Sequence, residues 1–93
     1  MSENTDKDGK QNEEEFFFYL ETKVTAPKLV MTGAEIKQAI RAMVPTFDVT
    51  HNLVLEGHGN APDDLIGDEQ SVNLDHRHGG HKHFFSKPPT NFG

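Results

Sequence analysis

The chain has 93 residues, which is enough for one domain with a single small core. Its formal net charge at pH 7 is −6, so it lacks the basic face that a nucleic-acid-binding protein needs. The sequence contains no cysteine, which excludes disulfides, thiolate metal sites and a cysteine nucleophile. No apolar run approaches the roughly 20 residues that span a bilayer, and a secretion signal is not recognisable. We therefore expect a cytoplasmic protein with no membrane and no nucleic-acid partner.

The first 15 residues differ in composition from the rest. They contain no Val, Ile, Leu or Phe and carry six acidic and two basic side chains. Such a segment cannot bury enough apolar surface to offset the entropy lost on ordering, so residues 1–15 are predicted to be a disordered acidic N-terminal segment. They hold −4 of the net charge of −6, which leaves −2 on the remainder. We expect a folded domain over residues 16–87 and an extended tail over residues 88–93.

Short apolar runs predict the strands of this domain. Residues 15–21 are mainly aromatic and are flanked by charge, which predicts a central strand. Residues 28–31 predict a second strand that forms a hairpin with the first. Residues 51–57 predict a third strand, with Leu53 and Leu55 on one face and Val54 on the other. Residues 81–86 predict the last strand, after a polar turn and an irregular stretch with scattered apolar residues.

A helix is predicted at about residues 33–44. Thr32 and Glu35 have the spacing of a capping box, and Pro45 ends the segment. The apolar residues recur at the spacing of one buried helix face. This face comprises Ile36, Ala39, Ile40, Met43 and Val44, and the solvent side comprises Glu35, Lys37, Gln38 and Arg41.

The order of elements predicts an α+β fold, in which one helix crosses a mixed sheet of four or five strands. Side chains alternate along a strand, so only one of Phe84 and Phe85 can face the core, and we assign Phe84 to it. The predicted core comprises Phe18, Leu20, Leu29, Ile36, Ile40, Val44, Leu53, Leu55 and Phe84.

The tail suggests a chemical role. Pro88 and Pro89 cannot continue a β-ladder or a helix, so the tail is expected to project from the domain. Gly93 has no side chain to obstruct a backbone that threads a narrow channel, and its carboxylate would be exposed. A compact domain with such a tail is typical of a protein modifier that is joined to its targets through a C-terminal glycine. The simpler reading is a glycine at this position by chance.

The histidine-dense segment over residues 76–83 has two readings. Its imidazoles could bind zinc, copper or nickel, with His76, His78, His81 and His83 as the candidate ligands. The absence of thiolates, and the neighbouring Arg77 and Lys82, favour a polar hairpin loop instead. We therefore expect no metal site, with histidines that titrate near pH 6.5.

Several segments resemble one family. The segments are residues 32–36 at the start of the helix, 53–57 in the third strand, 64–66 and 68–74 in the irregular stretch, and 83–88 at the end. In their order and spacing they resemble the bacterial multiubiquitin-domain family over about residues 16–93. The resemblance implies the β-grasp fold of ubiquitin. It also implies a modifier of bacterial operons that encode ubiquitination-like enzymes, some of which act in defence against phage.

The resemblance further implies the partners and the reacting group. An activating enzyme would use ATP to adenylate the Gly93 carboxylate, and a conjugating enzyme, a deconjugating protease and target lysines would follow. The chain itself would supply no cofactor and no catalytic side chain. The residues implied in tail recognition are Pro88, Pro89, Thr90, Asn91 and Phe92. The expected partner-binding patch on the sheet comprises Val54, Phe85 and His83; the alternative is that Val54 and Phe85 are ordinary core residues.

Two features depart from ubiquitin-like modifiers, and two other functions stay open. Phe92 precedes Gly93 where ubiquitin has a second glycine, which makes Phe92 a candidate specificity anchor. The chain also holds one domain instead of a tandem pair. The first alternative is a β-grasp sulfur carrier loaded as a thiocarboxylate. The second is a non-covalent interaction module, with metal binding by its histidines as one form.

Overall fold

The structure is a computed structural model that describes residues 15–77 and 79–89. The predicted reacting residue Gly93, the tail residues Thr90, Asn91 and Phe92, and His78 lie outside the described residues, as do residues 1–14. Within the described ranges the elements follow one another as seven strands and one helix. They are β1 (Phe16–Tyr19), β2 (Thr22–Thr25), β3 (Val30–Thr32), α1 (Gly33–Met43), β4 (Asn52–Leu55), β5 (Asp64–Ile66), β6 (Ser71–Asn73) and β7 (His83–Lys87).

The fold is α+β, with a mixed five-stranded sheet and one helix in the described part of the chain. The strand order in the sheet is β2-β1-β7-β4-β5. Strands β1 and β7 run parallel, whereas the other neighbouring pairs are antiparallel. Strand β7 is therefore central in the sheet, although it is the last strand along the described residues. Strands β3 and β6 form a separate two-stranded sheet.

The first hairpin differs from the prediction. Strand β1 pairs with residues 22–25 instead of residues 28–31, and the connection is the dipeptide Leu20-Glu21. Leu20 has a φ of 55°, in the left-handed region that non-glycine residues rarely adopt. Two-residue hairpin turns usually carry Gly, Asn or Asp, and this one carries none of them. The usual sequence signal for the turn is therefore missing.

The segment predicted as the second strand of that hairpin has another partner. Val30 pairs with Asn73 and Met31 with Val72, which joins β3 to β6 in antiparallel register. Val72 was placed in an irregular stretch, yet it is buried against the core. A strand of three residues has little pattern of its own, so its partner is set by tertiary packing.

The capping-box prediction is confirmed. The Thr32 hydroxyl accepts a hydrogen bond from the Glu35 backbone N–H, and the Glu35 carboxylate accepts one from the Thr32 backbone N–H. Helix α1 ends at Met43, where the side chain is 55% exposed instead of buried. Lys37 was assigned to solvent but is buried, and its Nζ lies 3.0 Å from Asp68 Oδ1. The aliphatic stem of Lys37 thus covers apolar surface while its ammonium group reaches a carboxylate.

The helix, 11 residues long, is too short and too polar to cross a membrane. It packs its Ile36 and Ile40 side chains onto one face of the five-stranded sheet, where both are fully buried. We call this the inner face and the opposite one the outer face. Strands β1, β4, β5 and β7 each present alternate side chains to the two faces. The inner-face residues of these strands in the core are Phe17, Tyr19, Leu53, Ile66 and Phe84.

Three members of the predicted core lie elsewhere. Phe18 is half-buried on the outer face because Phe17 and Tyr19 take the inner positions of β1. Leu20 lies in the hairpin turn and is 61% exposed, and Leu29 lies in a loop and is 44% exposed. Four other predicted members, Ile36, Ile40, Leu53 and Phe84, are buried, and Val44 and Leu55 pack against them while partly exposed.

Candidate functional site

The outer face carries the residues predicted to bind a partner. Val54 of β4 is directly opposite Phe85 of β7 on one side and Leu65 of β5 on the other. These three side chains form an apolar row across three strands. His83 lies two residues before Phe85 on the same face and is exposed. The structure thus brings together the three residues of the predicted patch, and it adds Leu65, which the sequence analysis did not select.

Val54 itself differs from the expectation of an exposed patch centre. Its side chain is only 3% exposed, whereas that of Leu65 is 60% exposed. A residue between two strands is shielded by its neighbours on both sides, whereas β5 is at the edge of the sheet. The accessible apolar surface of the row is therefore Leu65 together with the half-buried Phe85 ring.

Substituting arginine along this row should separate buried from exposed positions. We expect Val54→Arg to lower the free energy of unfolding by about 1.5–3 kcal/mol, because it removes a buried Val and forces a charge out of an apolar site. Leu65→Arg is the matched control on the same face, and we expect a change within about 0.5 kcal/mol. Urea unfolding followed by circular dichroism measures both. Equal losses in the two variants would contradict the burial of Val54.

Aromatic rings and imidazoles cover the other half of the outer face. The His83 ring stacks on Phe18 with centroids 4.9 Å apart, and Phe18 meets Phe16 edge-on at 5.5 Å. The Phe16 ring in turn stacks on His81 at 3.8 Å, and Lys23 Nζ lies 4.2 Å from the Phe16 centroid. Cation–π attraction and ring stacking fix these side chains on the surface. Strand β1 is thereby connected to the segment that precedes β7.

Three titratable side chains meet where this row of rings ends. The Glu15 carboxylate lies just before β1, and His76 and His81 lie between β6 and β7. Nδ1 of His76 donates to Glu15 Oε1 at 3.0 Å, and Nδ1 of His81 is 3.3 Å from Glu15 Oε2. The two imidazole rings stack with centroids 4.9 Å apart. We call these three residues the Glu15 cluster.

The Glu15 carboxylate is mostly buried, with 9% of its side-chain surface exposed. Burial raises the pKa of this carboxyl, but the hydrogen bond with His76 and the charges of His76 and His81 outweigh it and hold the pKa below its ordinary value. Glu15 is therefore an anion at neutral pH. The neighbouring Asp75 carboxylate accepts hydrogen bonds from the Arg77 guanidinium, including one of 2.6 Å from its Nη2.

Glu15 was assigned to the acidic N-terminal segment, but it makes contacts with the folded domain. Its backbone carbonyl accepts a hydrogen bond from the Ala26 N–H at 2.9 Å, and its side chain belongs to the Glu15 cluster. Of the histidines proposed as ligands, His76 and His81 come together with it. His83 does not, because it stacks on Phe18. A contact between residues 61 positions apart leaves no spacing motif in the sequence.

A surface cavity of about 710 Å³ opens beside the Glu15 cluster. Glu15 and His76 line it, so water and small ions can reach these two side chains. Two cationic side chains also line it, and both have acidic partners. Arg77 is paired with Asp75, and Lys28 Nζ lies 2.8 Å from Glu35 Oε2.

The tail begins where β7 ends, at Lys87. Pro88 and Pro89 follow directly and are exposed. The described part of the tail is thus accessible, and it continues a central strand of the sheet.

Comparisons of the chain with family models, with curated proteins and with solved structures returned no match.

Proposed function

We propose that the chain is a ubiquitin-like protein modifier with a β-grasp fold, conjugated to target proteins through the Gly93 carboxylate. The observation that carries the proposal is the strand order β2-β1-β7-β4-β5, with β1 and β7 parallel and one helix packed on the inner face. A β-grasp has this arrangement: an opening hairpin, a helix that crosses the sheet, and a last strand inserted beside the first. The family resemblance of the sequence supports the same conclusion.

The position of β7 supports a role for the tail. Hydrogen bonds to neighbours on both sides hold the strand in the middle of the sheet. Pro88 and Pro89 then follow without a turn and are exposed. Proline favours an extended backbone and cannot pair with β4 or β1 as a donor. A rigid domain with an extended tail can be held by an enzyme while the tail reaches a distant active site.

In this proposal the chemistry belongs to partner enzymes. An activating enzyme joins the Gly93 carboxylate to AMP from ATP and releases pyrophosphate, and an enzyme thiolate then displaces AMP to form a thioester. A target lysine amine finally displaces the thiolate and forms an isopeptide bond, which a deconjugating protease hydrolyses. This chain supplies the carboxylate and the recognition surfaces but no catalytic side chain. Pro88, Pro89, Thr90, Asn91 and Phe92 are the proposed tail-recognition residues.

The proposed docking surface for these enzymes is the exposed part of the apolar row on the outer face, with His83 at its border. Leu65 is its most accessible member, and Phe85 adds a half-buried ring. Apolar side chains that become buried at the centre of an interface account for much of its binding energy. The proposal assigns the chain to the bacterial cytoplasm, in an operon-encoded pathway of the kind that defends against phage.

A charging assay tests the proposal. The chain, with its Gly93 carboxylate free, is incubated with ATP and its cognate activating enzyme, and we expect a thioester that reducing agent removes. Leu65→Arg should lower the charging rate at low modifier concentration by about tenfold, which corresponds to about 1.4 kcal/mol of lost docking energy. Met43→Arg is the matched control, because Met43 is similarly exposed but lies at the end of α1.

The products distinguish the alternatives. Isopeptide adducts on lysine support conjugation, whereas replacement of one oxygen by sulfur at the C-terminus, seen by mass spectrometry, supports a sulfur carrier. A chain that remains unmodified with ATP and the enzyme contradicts both and leaves a non-covalent module. Equal charging rates for Leu65→Arg and the wild type would locate the docking surface elsewhere.

A further inference from the structure

The Glu15 cluster has the composition of a metal site. Two imidazoles and one carboxylate offer their ligand atoms within 4.8 Å of one another. Imidazole nitrogen suits zinc, copper and nickel, and a set of two histidines and one glutamate is a known three-ligand set for zinc that leaves a fourth position for water. We infer that Glu15, His76 and His81 form a binding site for a divalent transition metal ion of the zinc class.

The distances fit this inference. Two ligand atoms that are each about 2.1 Å from a tetrahedral zinc ion are about 3.4 Å apart. Glu15 Oε2 is 3.2 Å from His76 Nδ1 and 3.3 Å from His81 Nδ1, so one carboxylate oxygen lies near both imidazole nitrogens. The metal can thus occupy the space between these three groups, with small movements of the side chains. His81 exchanges its 3.0 Å hydrogen bond to the Phe16 carbonyl oxygen for a bond to the metal.

The local charges also suit a cation. Glu15 is an anion, and its carboxylate is mostly buried, so a bound cation compensates a charge that has lost most of its water. Arg77, which seemed to oppose a cation on sequence grounds, directs its guanidinium to the Asp75 carboxylate. Coordination requires both imidazoles to be neutral, with the remaining ring proton on Nε2. Glu15 and His76 also line the surface cavity, so water can reach a metal ion bound to them.

Binding has a structural consequence. Glu15 precedes β1, and His76 and His81 precede β7, so the metal joins the starts of two parallel strands that are neighbours in the sheet. A ligand that binds the folded state and not the unfolded chain raises its stability. The site does not depend on the proposed function, because charging uses the tail and the apolar row, and neither contains a residue of the Glu15 cluster. A chain that is not charged at Gly93 can still be tested for zinc binding, and a chain that binds no zinc can still be tested for charging.

Isothermal titration of the full chain with ZnCl₂ tests the inference. We expect one Zn²⁺ per chain in the wild type and no binding of Mg²⁺, which prefers all-oxygen sites. Loss of a direct ligand should cost more than the roughly 10- to 100-fold that loss of an outer partner costs, so Glu15→Gln and His76→Ala should each weaken zinc affinity by more than about 100-fold. Zinc should raise the melting temperature of the wild type and not that of Glu15→Gln.

Two histidine variants serve as controls. His58→Ala removes an exposed loop histidine, and His83→Ala removes the histidine that stacks on Phe18, and both should bind zinc as the wild type does. Glu15→Gln preserves the shape of the side chain, so it decides the matter if His76→Ala does not fold, as judged by circular dichroism. A wild type that binds no zinc overturns the inference. Zinc affinity unchanged in Glu15→Gln overturns it equally, because the ion would then be held by other groups.

Discussion

Replacing Phe84 by alanine is expected to lower the free energy of unfolding by about 3–5 kcal/mol, the usual range for a buried Phe. The side chain is 2% exposed and packs edge-to-face on Phe17, with ring centroids 5.3 Å apart. It also lies on β7, between β1 and β4, so a cavity at this position affects the middle of the sheet. A domain of this size has a total stability on the order of 5–10 kcal/mol, so the variant should be only marginally folded.

Phe85→Ala is the matched control, because it removes the same ring from the next position of the same strand. Phe85 lies on the outer face and is half-buried, so its truncation should cost about 1 kcal/mol, a fraction of the value for full burial. Guanidinium unfolding monitored by circular dichroism measures both losses. If Phe85→Ala proves as damaging as Phe84→Ala, the assignment of inner and outer faces to β7 is wrong.

The helix could be predicted from the sequence because its signals are local. The capping box at Thr32 and Glu35 and the recurrence of Ile36 and Ile40 one turn apart depend on neighbours within four residues. Such signals act before any tertiary contact forms. Local signals do not predict tertiary contacts, as Lys37 shows. Its position on the helix was predicted, whereas its contact with Asp68 depends on a loop that follows β5.

The first strand shows why its faces could not be assigned. Three consecutive phenylalanines, from Phe16 to Phe18, contain no alternation of polar and apolar residues, so the sequence does not reveal which ring faces the core. The tertiary structure decides: Phe17 meets Phe84, and Phe18 meets His83 on the other face. The two faces of strand β7 were assigned correctly, because His83 and Phe84 differ in polarity and therefore show which side chains face the core.

The Glu15 cluster was beyond sequence reasoning for another reason. The histidine-dense segment was visible, but which of its members converge depends on how β7 inserts beside β1. That parallel pairing aligns Phe18 with His83 and brings His76 and His81 towards Glu15. Because these contacts join distant parts of the chain, no residue count along it could have indicated the carboxylate. The same reason applies to the apolar row, because Leu65 belongs to it only through the pairing of its strand with that of Val54.

Deleting Gly93 is expected to abolish both the adenylate and the thioester if the proposed function is correct. The deletion places the bulky Phe92 at the reacting carbonyl, where the channel of an activating enzyme admits a residue without a side chain. Stability should not change, because the tail leaves the sheet at the exposed Pro88 and Pro89. Mass spectrometry of the chain after reaction with ATP and the activating enzyme measures the loss, and the melting temperature verifies the fold.

Phe92→Ala is the matched variant, since it changes the neighbouring residue and retains the reacting glycine. We expect the activating enzyme to bind this variant more weakly, by about 1.5–3 kcal/mol at most, because the buried area of the ring is lost. The reaction itself should still proceed at a high concentration of the chain. The two variants thus separate recognition from reaction. Phe92→Ala should raise the KM for the chain, whereas deletion of Gly93 should abolish kcat. Conjugation through the C-terminus of a chain that lacks Gly93 would refute the proposed role of this glycine. A non-covalent role, in which the outer face binds a partner and the tail does not react, would then explain the exposed apolar row better.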